Sequence, residues 1–221
     1  MPWRGGVPCA VAGWMADLTA LQAAARGLLP PGCGVGVADP GMPRPGFPGE
    51  EIAAVATRLA EFRAGRVAAR LAMAELGLPP VPVPMQRDRA PLWPMGLCGS
   101  ISHSGTLCLA AVARHPLRGL GLDLEPATPL DDDLRDIVLR PEERSVAPDL
   151  AKLIFCAKEA AYKAQYPISR RLFDFQALAV QIEGGQFTAT FAEDIPPFPR
   201  GTQLQGRHAQ VDGHFLCTVT L

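Results

Sequence analysis

The sequence predicts an α+β protein made of two lobes that meet near residue 110. Three observations point there. Strongly helical stretches occur in both halves, at 50–77 and between Pro148 and Pro167. Strand-like stretches do too, at 33–38, 106–113, 118–125, 177–183, 186–191 and 214–220. The polar signals are densest at 100–125, where the halves would face each other. A division at 105–106 gives an amino-terminal lobe, 1–105, and a carboxy-terminal lobe, 106–221.

Each element has a local reason. Residues 30–49 are rich in Pro and Gly and leave room for a short strand at 33–38. The GCGVG there is not a dinucleotide fingerprint, because the third Gly and the following helix are missing. The helix at 50–77 stops at Gly77, with Pro79 and Pro80 beyond. Residues 79–99 read as an extended, Pro-rich connection. TLCLAAVARHPLRGLGLDLE reads as two strands joined by a turn at His115–Pro116. A short helix within 130–146, opened by an acidic DDD, leads to PDLAKLIFCAKEAAYKAQYP, one helix. No internal repeat is visible.

Bulk composition sets limits. With 221 residues, 48% hydrophobic and 19% charged, the chain is globular rather than disordered. Its net charge of −1 creates no general field for nucleic acid or an acidic membrane, so an anion site has to be built locally. The six cysteines, at 9, 33, 98, 108, 156 and 217, form no CxxC, and several lie in apolar runs, as reduced, buried thiols do. The mildly apolar stretch 7–16 is cut short by Asp17 and does not read as a signal sequence, and no run reaches transmembrane length. The expectation is a soluble, cytoplasmic protein.

In LGLDLEP, leucines at 120, 122 and 124 alternate with Gly121, Asp123 and Glu125, which puts both carboxylates on one strand face. They stand roughly 7 Å apart at Cβ, with no cation in the strand between them. The loss of Asp123 is therefore expected to relieve repulsion. The pattern fits an exposed strand face, and it equally fits oxygen ligands for Mg²⁺. On the helix, at about 100° per residue, Leu150, Leu153, Ile154, Ala157, Ala161 and Ala164 share an apolar face. Glu159 and Lys163 lie opposite, four apart, beside Phe155, Tyr162 and Tyr166. That fits a surface ion pair, or a helix covered on both sides whose Glu and Lys need partners of their own.

RLAEFRAGRVAAR gathers Arg58, Arg63, Arg66 and Arg70, with Arg58, Phe62, Arg66 and Arg70 along one ridge. Guanidinium groups suit phosphate, and a solvated helix face fits as well. GSISHSG supplies Ser100, Ser102, His103 and Ser104 without the GxSxG spacing of a hydrolase elbow. Arg87 and Arg89 stand just upstream.

The order EFRAGRVAAR, RAPLWP, GSISHSG, GLDLE, FCAKEAAYKA, across residues 50–170, resembles the 4′-phosphopantetheinyl transferases of the enterobactin- and surfactin-synthetase-activating type. The resemblance implies two similar α/β lobes related by a pseudo-two-fold axis, with coenzyme A in the cleft between them. It implies Mg²⁺-dependent transfer of the phosphopantetheine arm to a serine of an apo acyl or peptidyl carrier protein, with release of 3′,5′-ADP. By position Asp123, Glu125 and Glu159 match the magnesium carboxylates, and Lys158 and Lys163 match the lysines near the pyrophosphate. Arg58, Arg66, Ser102 and His103, with Arg89, match positions around the nucleotide phosphates; Arg70 and Arg87 are alternatives to Arg89. Glu159 is a base, a ligand or both. The chain is expected to work as a monomer, with neither nucleic acid nor membrane as a partner. Two other readings remain open: a different Mg²⁺-dependent nucleotide or pyrophosphate enzyme, and a carrier-protein partner without turnover.

Overall fold

The computed structural model describes residues 9–221 apart from residue 43, with side chains from 18 onward. The expectation of a buried Cys9 thiol lies outside the described side chains, and that for the stretch at 7–16 lies partly outside the described residues. Among the described residues, no helix is long and apolar enough to cross a membrane.

Two antiparallel sheets form the frame. The first has order β1-β3-β2, with β1 at Cys33–Ala38, β2 at Leu97–Ser104 and β3 at Leu107–Arg114. The second has order β4-β8-β7-β6-β5, from Leu120–Pro126 (β4), Leu178–Glu183 (β5), Gln186–Phe191 (β6), Gln203–Val211 (β7) and His214–Thr220 (β8). Among the described residues the α-helices are α1 (Cys9–Leu28), α2 (Ala56–Glu75), α3 (Asp132–Val138) and α4 (Pro148–Ser169). Helix α2 packs on the first sheet, with Ala68, Ala72, Met73, Ala110 and Val112 in one cluster. Helix α4 packs on the second, through Ala157, Ala161, Phe187 and Val219. Leu21 and Ala25 of α1 join Leu109 of β3 and Leu120, Leu122, Leu124 and Leu216 in a third cluster that spans both sheets.

The α+β class and the alternation in LGLDLE agree with this architecture. Several boundaries differ. Strands 106–113 and 118–125 are not a hairpin: β3 pairs with β1 and β2, whereas β4 pairs with β8. The chain therefore changes sheets at 115–119, later than the expected 105–106. Strands β2 and β7 and helix α1 were not foreseen. Helix α2 begins at Ala56 rather than 50, because Glu50 is buried as an anchor. Its carboxylate accepts from Arg70 Nη1 at 2.6 and 2.7 Å, from the Val83 amide at 2.8 Å and from the Phe47 amide at 2.9 Å. Helix α4 starts with Pro148 at its first position, a placement that needs no amide donor. It runs through Pro167 to Ser169 and closes on Arg170 in the left-handed region. Pro167 falls in the last turn, where little helix remains to be broken.

Glycine spacing sets how closely each helix lies on its sheet. A Cβ at Gly34 or Gly36 would stand 2.0 Å from the Ala72 carbonyl oxygen or 2.1 Å from that of Ala68. A Cβ at Gly119 or Gly121 would stand 2.2 Å from the Ala164 carbonyl oxygen or 1.8 Å from that of Ala160. One arrangement thus occurs twice, GVGV against α2 and GLGL against α4. This is the repeat that the sequence hides, because it amounts to two glycines and two alanines per lobe.

Where the sheets meet, the edge strands β2 and β4 are joined by side chains. Ser100 Oγ donates to the Leu122 carbonyl at 3.2 Å and accepts from the Leu122 amide at 3.0 Å. Ser102 Oγ accepts from the Leu124 amide at 3.2 Å.

The glycine contact has a measurable cost. Gly121→Ala is expected to lower stability in urea unfolding by on the order of 3 kcal/mol, the upper range for overpacking a close contact. Gly27→Ala, in a helix with nothing within 4 Å of the added carbon, is expected to cost nothing. Equal stabilities for the two variants would contradict this account.

Candidate active site

A cleft of about 690 Å³ opens beside the serine seam. Helix α2 contributes Arg58, Glu61, Phe62 and Arg66; β2 contributes Ser102 and His103; β4 contributes Asp123 and Glu125; α4 contributes Phe155, Glu159, Tyr162, Lys163 and Tyr166. The turn at 86–90 closes one side with Asp88 and Arg89.

Asp123 is at the centre and is nearly inaccessible to solvent. Its Oδ1 accepts from Lys163 Nζ at 2.6 Å and from Ser102 Oγ at 2.8 Å. Lys163 also reaches Ser102 Oγ and the Leu122 carbonyl, each at 3.3 Å. The strand itself holds no cation, but α4 supplies one, and the expected relief of repulsion is thus corrected. Removing Asp123 would strand a half-buried ammonium rather than relieve repulsion. Lys163 turns to Asp123, not to Glu159 on its own helix, so the simple surface pair is not what forms. Glu125 is paired with Lys152 at 3.0 Å. Burial works to depress the Lys163 ammonium, but the Asp123 and Glu159 carboxylates outweigh it and hold its pKa above the ordinary value. Glu159 makes no ion pair among the described residues. Burial raises its pKa; Lys163 opposes that, and Asp123 and Glu125 add to it.

Whether a hard cation suits these residues can be judged from the donors. Asp123 Oδ2 is buried with no partner, a cost that a native structure normally avoids. Glu159 is held above its normal pKa partly by two other carboxylates, a condition that a cation would reverse. Among the described residues no three such side chains already form a closed metal cluster. The set fits Mg²⁺, which takes one or two carboxylates and completes its octahedron with water and substrate phosphates.

On the α2 side, Arg58 Nη1 lies 2.7 Å from His103 Nε2 and 3.1 Å from Glu61 Oε2. A guanidinium can only donate, so a hydrogen bond between them requires Nε2 to accept; the same Nε2 lies 3.6 Å from Glu61 Oε2. Arg66 lies over the Phe62 ring at 3.8 Å and donates to the Val83 carbonyl at 3.0 Å. Burial lowers its pKa to about 10, with Arg58 and Arg70 adding to the effect and Glu50 opposing it; it stays charged at neutral pH. Arg89 holds a positive φ of 68° in the turn and lines the cleft. Arg87 is not among the lining residues, and Arg70 is committed to Glu50 and the Phe47 ring.

Lys158 is the clear correction. It was expected beside a pyrophosphate, but it lies at 1% exposure away from the cleft. Its Nζ donates to Glu143 Oε2 and the Val138 carbonyl, both at 2.7 Å, and to the Phe175 carbonyl at 3.1 Å. It lies five residues before Lys163, and at about 100° per residue the two project in different directions. The sequence reading also missed Asp88, whose Oδ2 accepts from the Tyr166 hydroxyl at 2.6 Å and ties the 86–90 turn to α4. Only the position of Tyr166 on the Glu159 face hinted at this. Arg118 and Arg170, which also line the cleft, were missed as well.

Comparison with known proteins agrees with the two-lobe architecture. The family described as 4'-phosphopantetheinyl transferase N-terminal domain matches residues 50–113, and the 4'-phosphopantetheinyl transferase superfamily matches residues 119–219. The two matches part where the chain changes sheets. The chain is 41% identical over 166 residues to the 4'-phosphopantetheinyl transferase Svp of Streptomyces mobaraensis, covering 69% of this chain and 67% of the relative. It is 32% identical over 183 residues to PptT of Mycobacterium tuberculosis, covering 76% of this chain and 81% of the relative. Enterobactin synthase component D of Escherichia coli K12 is 38% identical over 116 residues, 48% of this chain and 54% of that protein.

Two measurements test the electrostatics. Lys158→Met leaves Glu143 buried without its counter-charge and is expected to cost about 3–5 kcal/mol in chemical unfolding; a change below 1 kcal/mol would return Lys158 to the cleft. The raised pKa of Glu159 means that the folded chain holds that proton more tightly than the unfolded one. The associated stability is complete below the unfolded value, about pH 4, and is lost as pH rises through the folded value. Glu159→Gln should therefore raise the melting temperature of metal-free protein at pH 7 and leave it unchanged near pH 4. Equal shifts at both pH values would mean that the charge of Glu159 is not the cause.

Proposed function

Since the chain belongs to the 4'-phosphopantetheinyl transferase superfamily and is an enzyme that activates carrier proteins, we propose how its residues divide that reaction. Its substrates are coenzyme A and an apo acyl or peptidyl carrier domain, and one chain carries the whole site. What supports this is one cleft that holds Asp123, Glu125, Glu159 and Lys163 on one side and Arg58, Arg66 and His103 on the other.

In this reading the serine oxygen of the carrier attacks the β-phosphorus of coenzyme A, a new P–O bond forms, and the bond to the bridging oxygen breaks to release 3′,5′-ADP. Such transfers depend on positioning and on neutralising oxygen charge. Asp123, Glu125 and Glu159 would hold Mg²⁺, which when bound neutralises pyrophosphate oxygens. Glu159 would receive the serine proton, as a carboxylate that lines the same cleft as Asp123 and Lys163. Lys163, fixed to Asp123, presents its positive charge to the departing phosphate side. Arg58, Arg66, Arg89 and His103 bind the nucleotide phosphates, with the 3′-phosphate displacing the Arg58–His103 contact. A cytoplasmic location fits five described cysteines that are all free thiols.

The direct test is mass spectrometry of apo acyl and peptidyl carriers after incubation with the protein, coenzyme A and Mg²⁺. A phosphopantetheine-sized gain is expected, with activity per mole constant on dilution. Lys163→Ala should cut kcat by tenfold or more, about 1.4 kcal/mol of barrier, whereas an exposed helix pair contributes nothing to rate. No gain with any carrier, or unchanged kinetics in Lys163→Ala, would refute the assignment.

A further inference from the structure

We propose that Ser102 is a positioning residue for Asp123: with Lys163 it saturates Oδ1, so that Oδ2 is the oxygen presented to the cation, and its hydroxyl reads no phosphate. This rests on the site reading above and departs from the sequence expectation, which grouped Ser102 with His103 as phosphate contacts. Adjacent residues of a strand face opposite ways. His103 turns to Arg58 of α2, whereas Ser102 turns to β4.

The hydrogen-bond capacity of the hydroxyl is already used. A serine hydroxyl has one proton and two lone pairs. The proton of Ser102 goes to Asp123 Oδ1 at 2.8 Å. Its lone pairs receive the Leu124 amide at 3.2 Å and the Lys163 ammonium at 3.3 Å. Nothing remains to donate to a phosphate unless the bond to Asp123 breaks. Oδ1, in turn, has two donors, one of them charged, while Oδ2 is buried and bare. Turning the carboxylate so that the doubly hydrogen-bonded oxygen faced a ligand would break the contacts to an ammonium and a hydroxyl at once. The hydroxyl is also anchored through Leu124, the neighbour of Asp123 on β4, so the carboxylate and its guide share one strand. Ser100 makes the equivalent backbone contacts at Leu122 but touches no carboxylate. It separates the effect of the seam from the effect on Asp123.

The experiment is a Mn²⁺ titration followed by electron paramagnetic resonance, with coenzyme A present and no carrier, so that no turnover occurs. Affinities for coenzyme A and dephospho-coenzyme A are measured alongside. Ser102→Ala is expected to weaken Mn²⁺ by about 10- to 100-fold, the usual loss when a partner that orients a metal ligand is removed. The ratio of coenzyme A to dephospho-coenzyme A affinity should stay at the wild-type value. Ser100→Ala should bind Mn²⁺ as the wild type does. Ser102→Cys, of similar volume but with a weak donor, should shift Mn²⁺ affinity in the same direction if the alanine variant does not fold. Unchanged Mn²⁺ affinity in the Ser102 variants, equal weakening in Ser100→Ala, or a collapse of the coenzyme A ratio would each overturn the inference. Failure of the wild-type protein to bind Mn²⁺ or coenzyme A would instead overturn the reading of the site, and the inference with it.

Discussion

The structure depends on how two sheet edges are made to tolerate each other. An edge strand carries a row of unpaired amides and carbonyls, and β2 and β4 are both edges. A backbone ladder between them would fuse the two sheets into one and leave no cleft. Here Ser100 and Ser102 hydroxyls meet the β4 backbone instead, at Leu122 and Leu124. The sheets are held edge to edge at one seam, and the cleft opens beside it. Asp123 lies on that seam, which is why its surroundings are dry and its geometry is fixed from two directions.

Two lysines of one helix illustrate how context decides the sign of a charge effect. Each has a carboxylate at hydrogen-bond distance, Asp123 for Lys163 and Glu143 for Lys158. Lys163 faces two carboxylates at a cleft wall, and its pKa is held up despite burial. Lys158 faces one in the interior, and burial wins, lowering its pKa although Glu143 and Glu142 oppose this. The first arrangement leaves charge available to a ligand. The second uses its charge to gather two carbonyls, from Val138 and Phe175, and so fastens α4 to the segments around it.

What could be read from the sequence follows from what periodicity encodes. The leucines of LGLDLE announced their burial, and the buried face of α4 through Leu153, Ile154, Ala157, Ala161 and Ala164 was visible as well; Leu150, assigned to that face, is exposed. Asp123, Glu125, Glu159 and Lys163 all line one cleft. Strand β2 escaped because the period-two part of its pattern is written in serine: Ser100, Ser102 and Ser104 are buried, after Cys98 and Gly99. Strand β7 escaped for a similar reason, since its inward positions include Gly206, over which the Phe187 ring sits. Period also says nothing about partners, so two good strands at 106–125 read as a hairpin although they belong to different sheets. Lys158 misled for a third reason. A charged residue on a helix signals that it needs a partner, and the chain itself supplied one in Glu143, from a short turn with no pattern of its own.

The doubled glycine contacts give the two lobes a common register, and with it a comparison position by position. Taking Gly36 with Gly121, and Ala68 and Ala72 with Ala160 and Ala164, Ala38 stands where the other lobe has Asp123. Val67 and Leu71 stand where it has Glu159 and Lys163. These three apolar residues line a separate, smaller cavity of about 280 Å³. A nearly symmetric frame has thus been given an asymmetric set of side chains, with Asp123, Glu159 and Lys163 where the other lobe has Ala38, Val67 and Leu71. A symmetric cleft would accept an elongated polyanion either way round. This one is lined differently on its two sides, by Asp123, Glu125, Glu159 and Lys163 and by Arg58, Arg66 and His103, so the two orientations of such a ligand would meet different groups.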